Sequence, residues 1–183
     1  MSSDDGIRLV LGFWFATGRE EQWFARSDAF DAEVAEVLGP WHRRARGGEL
    51  MHWRKTAEGA LALALLLDQV PRHLYRGSPE AYACDALARE ITKEAVEAGL
   101  VEQLGPAQQL FLYLPLEHSE DLADQEQAVA LISRLGDPEW TRYAELHRDI
   151  IARFGRFPHR NKVLGRETTP EEAEFLTQPD SSF

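Results

Sequence analysis

Three stretches of the chain crowd ionisable side chains closely enough to do chemistry. The first is Tyr113–Gln125, YLPLEHSEDLADQ, where Glu117, His118, Ser119, Glu120 and Asp121 are consecutive. An imidazole among carboxylates can take up and release a proton near neutral pH. The plainer reading is a helix start, with Ser119 as cap and the acids facing the positive end of the dipole. The second is Arg153–Arg166, RFGRFPHRNKVLGR. From Arg142 to Arg166, seven Arg and Lys stand against two acids, Glu145 and Asp149, a local charge of +5 in a chain of −11. Arginines on a loop tightened by Phe154, Gly155, Phe157 and Pro158 can grip carboxylate or phosphate bidentately. They can equally grip the chain's own acids, with Asp68, Glu120 and Asp121 as candidates. The third is Asp68, which ends an apolar run. An acid in a last helical turn faces the negative end of the dipole and needs a cation; Arg72, His73 and Arg76 are close.

Two more polar residues interrupt apolar stripes. His147 lies on Trp140, Tyr143, Ala144, Ile151 and Phe154 at helical spacing, and Gln125 lies on Leu122, Val129 and Ile132. A buried imidazole or amide is usually hydrogen-bonded, because leaving it unpaired costs about 1–3 kcal/mol. His147 therefore reads first as a structural histidine, and the two together as residues that meet something polar. There is no HExxH, paired cysteine, phosphate loop, GxGxxG or GxSxG. His118, His147 and His159 have no metal-ligand spacing, so no metal and no cofactor is expected. Cys84 reads as a core residue within a helix.

The elements that must hold these groups read as helices. Ala60–Leu67 is apolar at every position, so it must be buried on all sides and is too short to span a bilayer. Asp68 and Gln69 are expected to close this central helix and Pro71 to stop it. Ile7–Phe15 reads as helix. Ser27 and Thr56 are candidate N-caps, and Trp41–Arg46 continues after Gly39-Pro40. Ser78-Pro79 is expected to open a helix reaching Gly99, with Tyr82, Leu87, Ile91, Ala95 and Val96 inward. The helix from Gly105-Pro106 should stop at Pro115. Asp137-Pro138-Glu139 opens another, ending near Phe154. Thr169-Pro170-Glu171-Glu172 is a capping box. About eight helices, no strand and no long linker predict one all-α domain over 1–183, either a bundle or stacked hairpins around a buried central helix, with a loose tail from about 177.

Composition narrows the partners. A charge of −11 should repel nucleic acid and anionic membranes. One cysteine, no signal-peptide core and no transmembrane-length run point to the cytoplasm.

Taken together, VLGFWF, LLDQVPRHLYRGSPEAYACD, YLPLEHSEDLADQ and HRDIIARFGRFPHRNKVLGRETTPEEAEFL resemble the bacterial domain-of-unknown-function 924 family over nearly the whole chain. The resemblance implies helical hairpins similar to tetratricopeptide-like proteins and no established activity. Family-characteristic residues fall on Asp68, Gln69, Arg72, His118, Ser119, Glu120, Asp121, Gln125, His147, Arg153, Arg156, His159, Arg160, Asn161 and Arg166. Where the family usually has Arg-Asn, this chain has Arg72-His73.

Two functions follow. In the first, the ends of three segments share one pocket for a small anionic molecule. Arg72, Gln125, Arg153, Arg156, His159, Arg160, Asn161 and Arg166 would bind it; His118 or His147 would move a proton, oriented by Asp68, Glu120 or Asp121. In the second, the polar network is purely structural. The helices then form a scaffold for a peptide or protein partner, anchored by exposed Trp23, Trp41 or Trp53.

Overall fold

The computed structural model describes residues 3–182. All regular structure there is helical, with no strand among the described residues. The fold is all-α, as the residue spacing predicts. The Cα packing separates two compact units. One takes in the chain up to Arg76 and Glu80–Leu112; the other takes in Gly77–Pro79 and the chain from Tyr113 onward.

In the first unit, α1 (Ser3–Trp14), α2 (Asp28–Val37) and α3 (Gly39–Arg46) precede the core helix α4 (Ala57–Ala64). Ser27 Oγ accepts from the Phe30 N–H and Thr56 Oγ1 from the Gly59 N–H, so both caps form as the sequence indicates. Ala60–Leu67 is fully buried at every position, with α1 and α6 (Asp85–Glu97) against α4. Each of its leucines stabilises the fold by roughly 2 kcal/mol. Trp14, also fully buried, meets Phe30 and Phe111 at 6.1 and 5.6 Å between ring centroids. Trp53 is buried, not exposed as a peptide anchor would be. It sits in the short turn Met51–Lys55 that packs on α4.

The core helix does not stop at Pro71. A π-turn, Leu65–Gln69, carries it into α5 (Val70–Leu74). In π register each N–H bonds the carbonyl five residues back, as Val70 N–H does to Leu65 O. Pro71 lacks the next N–H, which would have reached Leu66 O. His42 on α3 supplies the donor instead, Nδ1–H to Leu66 O at 2.7 Å. Asp68 therefore lies within a continuous helix. Its carboxylate accepts from Gln69 Nε2 at 2.6 Å and pairs with Arg72 at 3.1 Å. Arg72 also grips Asp85 bidentately at 3.1 Å. His73 and Arg76 serve Asp31: His73 Nδ1 lies 2.7 Å from it, and Arg76 grips it at 2.8 and 3.0 Å. Burial lowers the His73 pKa despite that carboxylate, so the contact at neutral pH is a hydrogen bond.

Burial likewise pushes the His42 pKa down, against the Leu66 hydrogen bond. His42→Ala removes the donor and opens a cavity, with an expected loss of about 2 kcal/mol in urea unfolding. A histidine kept neutral when folded contributes stability above its unfolded pKa of about 6.5 and loses it as pH falls below that. Between roughly pH 7 and pH 5 the variant should therefore lose less stability than wild type.

Downstream, α6 starts at Asp85, after a 3-10 turn at Pro79–Tyr82, so Ser78 does not cap it. Cys84 is buried just before it rather than within a helix. Its inner face is Ala88, Ile91, Thr92 and Ala95, with Leu87 and Val96 only half-buried. The boundary between units falls inside α7 (Pro106–Glu117), which runs through Pro115 rather than ending there. In the second unit α8 (Leu122–Ile132) and α9 (Pro138–Phe154) pack on each other, and the chain then winds to α10 (Pro170–Phe175).

Candidate functional site in the second unit

α9 positions one side of the site. Asp137 caps it through Oδ1, which accepts from the Glu139 and Trp140 N–H groups at 2.8 and 3.1 Å. Its buried face is Ala144, His147, Ile150 and Ile151, so His147 points inward as its spacing predicts. Gly155 ends α9 at φ +68°, a left-handed turn that favours glycine. Phe157 then turns back, fully buried, onto Ile150 and Ile151.

The facing turn is built by Asp121, not Ser119. Asp121 Oδ1 accepts from Ala123 N–H at 2.8 Å and caps α8. Ser119 Oγ accepts from Asp121 N–H at 3.1 Å and donates to buried Asp124 at 2.8 Å. Leu122 is exposed, so the inward stripe is Asp124, Gln125, Ala128 and Ile132. Gln125 is fully buried. Its Nε2 donates to the carbonyls of Glu117 and Ser119, at 2.5 and 2.7 Å, on either side of His118.

Glu117, His118 and His147 converge there. One ligand-capable atom from each lies within 4.8 Å of the other two. His147 Nδ1 is 2.8 Å from the Tyr143 carbonyl and 3.3 Å from Glu117 Oε1. Carbonyl and carboxylate only accept, so Nδ1 carries the proton and Nε2 the lone pair. The His118 and His147 ring centroids are 6.0 Å apart, and Phe157 meets His147 edge-on at 5.7 Å. Burial first, then His118, pushes the His147 pKa down to about 3; Arg160 and His159 add to the effect. His147 is neutral at pH 7. Arg160, 6% exposed, lies over the Phe157 ring at 4.4 Å, and half-buried His159 meets that ring at 5.5 Å.

Arg166, Arg156 and Arg153 each face a carboxylate. Arg166 grips Glu120 at 2.7 and 2.9 Å, and Glu120 also accepts from Phe157 N–H at 2.8 Å. Burial works against the Glu120 charge, but Arg166 and that N–H outweigh it and lower the pKa. Arg156 grips buried Glu172 at 2.6 and 2.9 Å, and exposed Arg153 grips Glu171 at 2.9 and 3.1 Å. Asn161, fully buried, donates to Glu172 at 3.2 Å and accepts from Arg166 Nε at 3.0 Å. Arg156 and Arg166 also line an open groove of about 590 Å³ with Glu167, Thr168, Thr169 and Pro170.

The second unit thus contains His118, Glu120, Asp121, Gln125, His147, Arg153, Arg156, His159, Arg160, Asn161 and Arg166. Asp68 and Arg72 belong to the first. Sequence reasoning singled out Glu120 as an arginine partner but missed Glu171 and Glu172. It counted Glu117 only among the crowded residues of that turn; the end of α7 brings Glu117 and His118 to His147.

The pattern of a family described as "Bacterial protein of unknown function (DUF924)" matches residues 10–180. The chain is similar to a solved protein of unknown function from Agrobacterium tumefaciens. The two are 42% identical, with a TM-score of 0.91 over 96% of this chain and 98% of that one. Curated proteins give no match.

Proposed function

Because the chain belongs to the DUF924 family of bacterial proteins, whose name assigns no reaction, we propose a function from its own residues. It binds a small anionic molecule at the Glu117–His118–His147 turn, and His118 moves a proton there. The observation that carries this reading is the approach of those three side chains to within 4.8 Å. Glu117 and His147 are buried and His118 half-buried, so a ligand reaches His118 first. His147 is held in one tautomer by Tyr143. Behind burial itself, His118, Arg160 and His159 each work against a positive charge on His147.

A thermal-shift screen of small carboxylates and phosphates tests it. A ligand at a hundred times its Kd adds about 2.7 kcal/mol, which raises Tm by roughly 5–10 °C for a chain of this size. His118→Ala should keep the unliganded Tm and abolish the shift. The network of arginine–carboxylate pairs favours a second reading, a purely structural network in a scaffold that binds a protein partner. That reading predicts no anion shift in wild type.

A further inference from the structure

We propose that Glu117, His118 and His147 together bind one divalent transition-metal ion, zinc in the first instance, with a remaining position open to the anion. This rests on the reading above that the trio is the functional centre. Two imidazoles and one carboxylate are a zinc-type donor set, whereas magnesium and calcium take oxygen ligands. Three protein ligands and an open fourth position are also the pattern of catalytic zinc sites. Zinc bonds of about 2.0–2.1 Å in a tetrahedron place ligand atoms about 3.3 Å apart. One donor-capable atom from each of the three lies within 4.8 Å of the other two, so the widest of these pairs would close by at most about 1.5 Å.

The surroundings orient the donors. The Tyr143 carbonyl accepts from His147 Nδ1–H, which fixes the tautomer and orientation of the ring. Gln125 brackets His118 by holding the Glu117 and Ser119 carbonyls. Gln125 Oε1 is itself buried without a hydrogen-bond partner, so a water held at this turn has an acceptor there. Charge also couples the ion to the proposed ligand. Glu117 alone would leave the occupied site at +1, and an anion in the open position would offset that charge.

The test uses the full-length, tag-free chain, stripped with chelator and dialysed. Wild type should bind one equivalent of Zn²⁺ by calorimetry, and Co²⁺ should give the visible bands of a four-coordinate site. Glu117→Gln and His118→Ala should each weaken Zn²⁺ binding by about 10–100-fold or more, with the helical circular dichroism of the metal-free protein kept. Should His147→Ala fail to fold, His147→Gln replaces it, with the same loss expected. Absence of stoichiometric Zn²⁺ binding, or binding unchanged in Glu117→Gln and His118→Ala, overturns the metal site. If no Zn²⁺ binds but wild type still shows an anion shift that His118→Ala abolishes, the metal site alone falls. If it shows neither metal binding nor an anion shift, the functional centre falls with it.

Discussion

Gly59→Ala should destabilise the protein by about 3 kcal/mol, although alanine is favoured over glycine in a helix by about 1 kcal/mol. A Cβ there would lie 2.1 Å from the Trp53 carbonyl oxygen and 2.8 Å from Thr56 Oγ1. Neither can easily withdraw. The Trp53 carbonyl accepts from Thr56 N–H at 3.2 Å, and Thr56 Oγ1 accepts from Gly59 N–H at 3.1 Å. Buried Trp53 also packs on Trp41, with ring centroids 5.7 Å apart. Relief requires the turn Met51–Lys55 to lift from the helix start. The urea midpoint measures the effect, and a neutral or stabilising result would show that the turn does not rest there.

Glu172→Ala is expected to cost about 3 kcal/mol, within the range for leaving partners of a buried charge unpaired. Its carboxylate accepts from Arg156 Nε at 2.6 Å and Nη2 at 2.9 Å, from Asn161 at 3.2 Å and from Thr169 N–H at 2.8 Å. It also completes the α10 capping box. Arg156 first, with the Thr169 N–H, outweighs burial and holds the Glu172 pKa at about 2. Its folded pKa is below the unfolded value, so its stabilisation is full above the unfolded pKa and is lost as pH falls. Wild type should lose about 2 kcal/mol between roughly pH 4.5 and pH 2, a figure reduced for the partly exposed Arg156. Glu172→Gln should lack this component of acid sensitivity. Equal acid slopes in the two proteins would rule out the pair as its source.

Local signals were legible in proportion to how local their physics is. The caps at Ser27, Thr56, Asp137 and Thr169 need only a side chain and an N–H two or three residues on. All four read directly from the sequence, as did the buried run Ala60–Leu67 and the inward His147 and Gln125. Both prolines expected to break helices misled. Pro71 is accommodated because His42, 24 residues before Leu66 in the chain, serves the Leu66 carbonyl left by the missing N–H. Ser119 looked like the α8 cap because its competing contact with Asp124 cannot be inferred from residue type. The arginine pairs have the same character. The excess of positive charge was visible, but the link from Arg156 to Glu172 exists only once the loop has folded back.

The wide turn at Leu65–Gln69 has a consequence for how this chain tolerates change in length. A π-turn takes up one residue more than an α-turn while the flanking segments keep their facing, so it acts as a phase correction between them. Deleting one residue inside it would return the segment to ordinary winding, with Arg72 still directed at Asp85 and His73 at Asp31. The same deletion at Leu61 would swing everything beyond it by about 100° and part both pairs. That one turn is where the central helix can be shortened without changing which neighbours it meets.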